Sequence, residues 1–349
     1  WTGPAGTSSP PSHLLLVGDA VWDFKDNLGW SDYVDLVPTP IMFYNQSILK
    51  YYAADNWLAS FLGDDQSADI LHGRVPARTV EEAEAVFSKF LAYASSPPQG
   101  AWRSDGYFLA DVGNTVQETE KFELVADNAA YYFQPPWTWT KQYYAQPPYS
   151  APTGGGGDVD LFRADFITHW SGAHPAVATF TGHGSFDILG NDIFFRSSDV
   201  PLLTNGAYQP FFLNSDCLSA GFHAVGLTSI GEAFLGSSTG GAIAFFGPAG
   251  LSSTYIGSQV SGRIFGDLFS IRKIRNLGTL AWNARDLLYQ QGSFADLQGH
   301  ALLGDPSLDL VLPAPRPPAS FTVTSGNAQV DLAWIASTDP EAAGTNLSR

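Results

Sequence analysis

Short runs of consecutive apolar residues recur along the chain, and a turn or polar residue closes most of them. The runs occupy positions 13–17, 68–75, 107–110, 176–180, 211–213, 242–246 and 308–312. The runs at 176–180, 211–213 and 242–246 show no alternation with polar residues, which is typical of parallel strands covered on both faces. Apolar residues at helical spacing lie between the runs. The pattern therefore predicts an α/β fold with a mainly parallel sheet.

Helices are predicted over 79–94, 122–132 and 159–170. The clearest start is Thr79, because a hydroxyl at this position followed three residues later by Glu82 forms a capping box. Two prolines and a glycine between Ser95 and Gly100 end that helix. We expect a long connector rich in proline and glycine over 147–157.

The sequence changes character after residue 313. The segment P-A-P-R-P-P at 313–318 predicts a stiff, extended linker. Two alternating segments, 321–324 and 330–334, then predict a β-hairpin. We interpret 314–349 as a linker and the truncated start of a β-sandwich module that resembles fibronectin type III. The preceding chain divides into an α/β subdomain over 1–100 and a second one over 101–313.

Composition excludes several classes of protein. Hydrophobic residues make up 44% and charged residues 15% of the chain, as in folded globular proteins. The net charge is −17 and basic residues form no stripe, so nucleic acid is not an expected partner. No apolar run reaches the ~18 residues of a membrane-spanning helix, so we expect no transmembrane segment.

The chain contains a single cysteine, Cys217, so an internal disulfide is not expected. A lone cysteine is either an inert core residue or a reactive thiol. Cys217 ends the segment N-S-D-C (214–217) after one apolar run, and His183 lies in T-G-H-G-S (181–185) after the preceding run. The carboxyl ends of adjacent parallel strands meet at one edge of a sheet, so both side chains are expected there.

A thiol beside an imidazole can attack a carbonyl carbon, because the imidazole removes the thiol proton. We therefore take Cys217 as the candidate nucleophile and His183 as its base. The N–H groups of Gly184 and Cys217 are candidates for an oxyanion hole. The alternative is a core thiol and a histidine that only shapes a tight turn.

These two motifs resemble those of the gingipain family of cysteine peptidases. Further resemblance lies in L-L-L-V-G-D (14–19), A-D-N-W (54–57), G-D-D (63–65), G-R-V-P-A-R-T (73–79) and L-G-D-P-S-L (303–308). The resemblance covers about residues 12–313. It implies a caspase-like three-layer sandwich built from two α/β subdomains, with additional sequence before the first strand.

The resemblance also implies roles for individual residues. Asp111, which ends the 107–110 run, matches the acid that orients the histidine, although it could simply end the strand. Glu120 matches the acid at the base of the substrate pocket in arginine-specific gingipains, and the alternative is an exposed glutamate at a helix start. The loop after the 242–246 run resembles the other pocket wall, which contributes Ser252, Thr254 and Tyr255 as substrate-binding residues.

The resemblance implies a secreted or cell-surface bacterial cysteine endopeptidase that acts on proteins or peptides and prefers basic residues. Catalysis by Cys217 and His183 needs no cofactor, and the sequence predicts no metal site. The family's structural calcium fits the Asp-rich chain, although no calcium-loop motif occurs. C-terminal modules beyond this sequence would attach it to the cell surface. The alternatives are a sortase-like transpeptidase with the same dyad and a catalytically silent adhesion module.

Overall fold

The computed structural model describes residues 11–29, 35–43, 51–63, 65–135, 137–150, 153, 156–269, 273–313, 320–326 and 329–335. The strands are β1 (His13–Val17), β2 (Ile41–Phe43), β3 (Tyr51–Ala53), β4 (Leu71–Val75), β5 (Asp105–Ala110), β6 (Thr138–Tyr143), β7 (Val177–Thr181), β8 (Ile188–Leu189), β9 (Phe195–Arg196), β10 (Phe211–Ser215), β11 (Ala244–Pro248), β12 (His300–Leu303), β13 (Ser320–Gly326) and β14 (Gln329–Ile335). The α-helices are α1 (Asp55–Leu58), α2 (Val80–Ser95), α3 (Val116–Ala130), α4 (Val159–Gly172), α5 (Ile230–Gly236), α6 (Thr254–Phe269), α7 (Leu277–Gln290) and α8 (Phe294–Gly299). Two short 3-10 helices span Ala101–Ser104 and Ser197–Leu202.

Eight strands form one sheet in the order β1-β4-β12-β11-β10-β7-β5-β6. Every neighbouring pair is parallel except β11 and β12, which are antiparallel. This junction divides the sheet into two groups of parallel strands that run in opposite directions. We call β1, β4 and β12 the ionic half and the other five strands the aromatic half, after the side chains that hold each. The prediction of a mainly parallel α/β sheet is confirmed.

The aromatic half is covered by helices on both faces. Successive residues of β5 show this, since Tyr107 packs against Phe166 of α4 while Phe108 packs against Phe265 of α6. Every residue of β7, β10 and β11 is buried, which explains why their sequences are largely apolar and do not alternate with charged residues.

The ionic half is held by buried charges. Arg74 of β4 is fully buried and forms a bidentate pair with Asp55 of α1, at 2.7 and 2.8 Å. The Arg74 guanidinium also donates to the carbonyls of Gly18 and Val37 and lies 4.6 Å from the ring centroid of Phe222. Burial would raise the pKa of Asp55, but the charge and hydrogen bonds of Arg74 outweigh it and hold that pKa below its ordinary value.

A second buried cluster joins the two halves. The guanidinium of Arg78 donates to Asp19 at 3.0 Å and to Glu232 of α5 at 3.1 Å. Burial raises the pKa of Asp19 to about 6, although Arg78 opposes the shift. Burial and the charge of Asp19 raise the pKa of Glu232 to about 8. Two carboxyl groups thus share one cation.

Several sequence predictions need correction. The last strand of the sheet is β12 at His300–Leu303, whereas the apolar run 308–312 contributes an isolated bridge, between Asp309 and Asn276. Edge strand β6 was not predicted; it lies beside the expected connector and is mostly exposed. Helix α3 begins at Val116, before the predicted start at 122.

The predicted boundaries at 100 and 313 remain predictions, and β12 lies beside β4 although the two fall in different predicted subdomains. Strands β13 and β14 form the expected antiparallel hairpin. The rest of the expected fibronectin-like segment lies outside the described residues. Within the described ranges, no helix has the length and apolarity that crossing a bilayer requires.

Candidate active site

Parallel register brings the His183 and Cys217 loops to the same edge of the sheet. Strand β7 lies between β10 and β5, and Thr181 is aligned with Ser215 on one side and with Ala110 on the other. His183 and Cys217 each follow two residues after an aligned pair. The two loops therefore leave the sheet side by side, with Asp111 on the third strand end.

The backbone of His183 is held by Asp111. One carboxylate oxygen of Asp111 accepts the N–H of His183 at 3.0 Å and that of Asn191 at 2.9 Å. A side chain on Gly182 would collide with the Cβ of Asp111, so only glycine allows this approach. Burial raises the pKa of Asp111 to about 6, and the two N–H groups oppose that shift.

The His183 ring faces helix α3. Its Nε2 lies 3.2 Å from the Asn114 side-chain amide nitrogen and 3.6 Å from a carboxylate oxygen of Glu118. The ring also meets Phe122 edge to face, with centroids 5.3 Å apart. Glu118 and Phe122 are four residues apart and share one face of the helix. This face therefore gives the imidazole an acidic neighbour and an aromatic wall.

Cys217 is partly buried, and among the residues that the structure describes its thiol hydrogen-bonds with Ser252. The N–H of Ser252 donates to Sγ, and the thiol donates to the Ser252 carbonyl, both at 3.4 Å. Burial raises the pKa of the thiol, the Ser252 N–H opposes this, and the charges of Asp216 and Asp296 raise it further. The resting group is accordingly the protonated thiol.

The backbone around the cysteine is tightly constrained. Leu218, which follows Cys217, has φ +65° and donates its N–H to the carbonyl of Gly250 at 2.9 Å. A non-glycine residue with this conformation costs free energy that the surrounding contacts must offset. The loop after β11 thus fixes both the thiol and the residue after it.

Asp216 connects the two loops. Its carboxyl group is buried, and one oxygen accepts the Ser219 hydroxyl at 2.6 Å. A side chain on Gly184 would lie 2.5 Å from the other oxygen, so Gly184 packs directly over Asp216. Burial raises the pKa of Asp216 well above its ordinary value. The N–H groups of Gly184 and Cys217 donate to no other described residue.

The remaining predicted site residues are less closely grouped. Glu120 is exposed on α3, roughly 200° around the helix from Glu118. Thr254 and Tyr255 begin α6, and Tyr255 is 62% exposed. Ser252 contacts the thiol as described above. The structure brings together Cys217 and Ser252 in one contact, and Asp111 and His183 in another.

Sequence reasoning did not single out Asn114, Glu118 or Asp296. Glu118 has a recognisable signal, because Thr115 is the N-cap of α3 and its hydroxyl accepts the Glu118 N–H at 3.2 Å. Asp296 lies on α8 and accepts the Ser252 hydroxyl at 3.2 Å. This contact joins segments distant in sequence, so no local pattern reveals it. Over the described ranges, no group of three or more acidic, histidine or cysteine side chains is arranged to hold a metal ion.

An α/β sheet with a thiol and an imidazole at adjacent strand ends defines a class of cysteine peptidases. The family model of peptidase family C25 matches residues 2–311. The chain therefore belongs to peptidase family C25, the gingipain family, and is a cysteine-type peptidase. Protein or peptide substrates follow from that activity, and peptidases of this family need no cofactor for catalysis.

Solved structures show the same fold. The crystal structure of the Arg-specific cysteine proteinase gingipain R (RgpB) matches with a TM-score of 0.65 at 18% identity, covering 90% of this chain and 67% of that one. The complex of the Porphyromonas gingivalis RgpB pro- and mature domains matches with a TM-score of 0.64 at 19% identity, covering 90% and 69%. A structure described as a protease matches at 0.65 and 17% identity, covering 91% and 68%. No curated protein sequence matches the chain.

Proposed function

We propose that the chain is an endopeptidase that cleaves peptide bonds through Cys217 and His183. The observation that carries this proposal is the register of β7 with β10, which aligns the ends of the strands that precede the two residues. His183 is partly exposed, at 35%, and Cys217 is partly buried, so substrate can approach from solvent. We assign Cys217 the role of nucleophile and His183 the role of its base.

In the first step, His183 accepts the thiol proton while Sγ of Cys217 attacks the carbonyl carbon. The carbonyl π electrons move onto oxygen, where the N–H groups of Gly184 and Cys217 stabilise the oxyanion. Collapse of this intermediate breaks the C–N bond, and His183 protonates the leaving amine. A water molecule, deprotonated by His183, then hydrolyses the thioester and restores the thiol.

Asp111 and Glu118 contact different parts of His183. Asp111 fixes the main chain of the histidine loop through two N–H groups. Glu118 faces the ring and stabilises the imidazolium that forms when the thiol loses its proton. The role that resemblance gives to Asp111, orienting the histidine, is thus exerted through the backbone in this proposal.

The proposal includes a preference for basic residues at the cleaved bond and a location outside the cell or on its surface. The preference is supported by the acidic chain and by the carboxylates near the thiol. The location is supported by family membership and by the proline-rich segment and hairpin after the catalytic part.

Hydrolysis of a fluorogenic peptide library under reducing conditions tests the proposal. Wild type should cleave, whereas Cys217→Ala and His183→Ala should lose activity at least a thousandfold while keeping the wild-type circular dichroism spectrum. Glu118→Gln should lower kcat with little change in KM. Equal cleavage by wild type and Cys217→Ala would reject the mechanism. Addition of an amine acceptor distinguishes hydrolysis from transfer of the acyl group to an amine.

A further inference from the structure

Ser252 connects the nucleophile to a second acidic residue on a different element. Its N–H and carbonyl contact Sγ of Cys217, and its hydroxyl donates to Asp296 of α8 at 3.2 Å. Ser252 therefore bridges the thiol of Cys217 and the carboxylate of Asp296. The end of α8 is fixed against the sheet, because Ala249 donates its N–H to the Gly299 carbonyl at 2.7 Å.

The two carboxyl groups that act on the thiol differ in access. Asp216 is buried under Gly184, where a group from solvent does not reach it, and burial raises its pKa. Asp296 is only partly buried, so a substrate group can reach it from solvent. Of these two acids, Asp296 is therefore the one that can pair with a charged group of the substrate.

Other titratable groups near Asp296 leave its charge uncompensated. His300 donates its Nδ1–H to the Asp296 backbone carbonyl at 2.7 Å, and burial lowers the pKa of this histidine to about 4, so it is neutral. Tyr52 is also near, and burial and the charge of Asp296 raise its pKa, so it is neutral too. Over the described residues, no salt bridge includes Asp296.

We propose that Asp296 receives a cationic group of the substrate and that this pairing activates Cys217. An ammonium or guanidinium group beside Asp296 cancels the negative charge that disfavours the thiolate. The substrate thus promotes the ionisation of the nucleophile that attacks it. Linkage makes the effect reciprocal, so the thiolate form also binds the cation more tightly than the thiol form does.

This inference rests on the proposed role of Cys217, but half of its test needs no peptide cleavage. Alkylation of Cys217 by iodoacetamide, a neutral reagent, is measured from pH 6 to 10 in wild type, Asp296→Asn and Glu84→Gln. Loss of the negative charge should shift the alkylation profile of Asp296→Asn to lower pH and raise the rate at pH 7 by roughly threefold. Glu84→Gln, which removes the same charge from an exposed position on α2, should follow wild type.

The same assay is repeated with n-butylguanidine, with n-butanol as the neutral control and sodium chloride at matched ionic strength. n-Butylguanidine should accelerate alkylation of wild type at pH 7 and leave Asp296→Asn unchanged. Identical profiles for wild type and Asp296→Asn, or equal responses to n-butylguanidine, would overturn the proposed coupling. Wild-type melting curves for the variants exclude unfolding as the cause.

The substrate half compares peptides with arginine, lysine, citrulline or norleucine before the cleaved bond. Asp296→Asn should reduce kcat/KM for arginine about tenfold or more relative to citrulline, and Asp296→Glu should restore part of it. An unchanged preference in an active Asp296→Asn enzyme would overturn the substrate role of Asp296 and leave the peptidase proposal standing. Loss of the preference in Glu120→Gln instead would assign it to the acid expected from sequence.

Discussion

The two halves of the sheet are stabilised by different interactions in their buried regions. The aromatic half packs phenylalanine and tryptophan side chains against strands such as β5, β7 and β10, and Trp170 alone meets Phe212 and Phe234 within about 5 Å between ring centroids. The ionic half buries Arg74 with Asp55 at the same depth. Aromatic packing does not depend on the charge state of any group, whereas a buried ion pair depends on both charges. The loops that carry the proposed dyad follow strands of the aromatic half.

Arg74→Met tests most directly whether the ionic half depends on its buried ion pair. Removing the cation leaves Asp55 buried without its partner, so the free energy of unfolding should fall by about 3–5 kcal/mol. Urea unfolding at pH 7, followed by circular dichroism, measures the loss. In the variant the pKa of Asp55 rises, so at pH 5 the carboxyl takes up a proton more readily and the loss should shrink. A loss below 1 kcal/mol at pH 7 would contradict the importance of the pair.

The matching change in the aromatic half is Phe212→Leu. Loss of ring contacts to Trp170, Phe234 and Phe245 should cost roughly 1–2 kcal/mol. No charge is involved, so the loss should be the same at pH 5 and pH 7 in the same urea experiment. A loss that varied with pH as strongly as that of Arg74→Met would remove the distinction between the halves.

The sequence predicted the aromatic half better than the ionic half for a physical reason. Fully buried, largely apolar strands such as β7 and β10 leave a visible run, and the lone cysteine and the glycine-flanked histidine at their ends stand out. Strand β4 contains His72 and Arg74, whose burial depends on partners such as Asp55 far along the chain. Strand β12 is only four residues long and was obscured by the apolar run after it. Ser252 could be linked to Asp296 only through the fold.

The cluster of Asp19, Arg78 and Glu232 offers a finer test, through pH. The pKa of Glu232 is about 8 in the folded protein against 4.5 for the ordinary group, so the folded state holds a proton that the unfolded state has lost. Stability of wild type relative to Glu232→Gln should therefore decrease as the pH rises from 5 to 8, by on the order of 1 kcal/mol. Urea midpoints of both proteins at four pH values measure it. A stability of wild type relative to Glu232→Gln that increased with pH would contradict the raised pKa of Glu232 in the folded protein.

The smallest expected effect lies on the edge strand β6. Lys141 and Asp127 form an ion pair at 2.7 Å with both side chains about 40–47% exposed. Solvent screens such pairs, so Lys141→Met should change the free energy of unfolding by less than about 1 kcal/mol. Raising the salt concentration should reduce the difference between wild type and variant. A large loss would show that exposure is a poor guide to the strength of ion pairs in this fold.

The antiparallel contact of β11 with β12 also affects the order of folding during synthesis. A ribosome releases β1 and β4 before β12, which separates them from the rest of the sheet and is made more than two hundred residues later. Until then the nascent ionic half has an unpaired strand edge and a guanidinium whose surroundings are incomplete. Such long-range pairing slows folding and exposes intermediates to aggregation. Synthesis must therefore reach β12 before β1 and β4 can join the rest of their sheet.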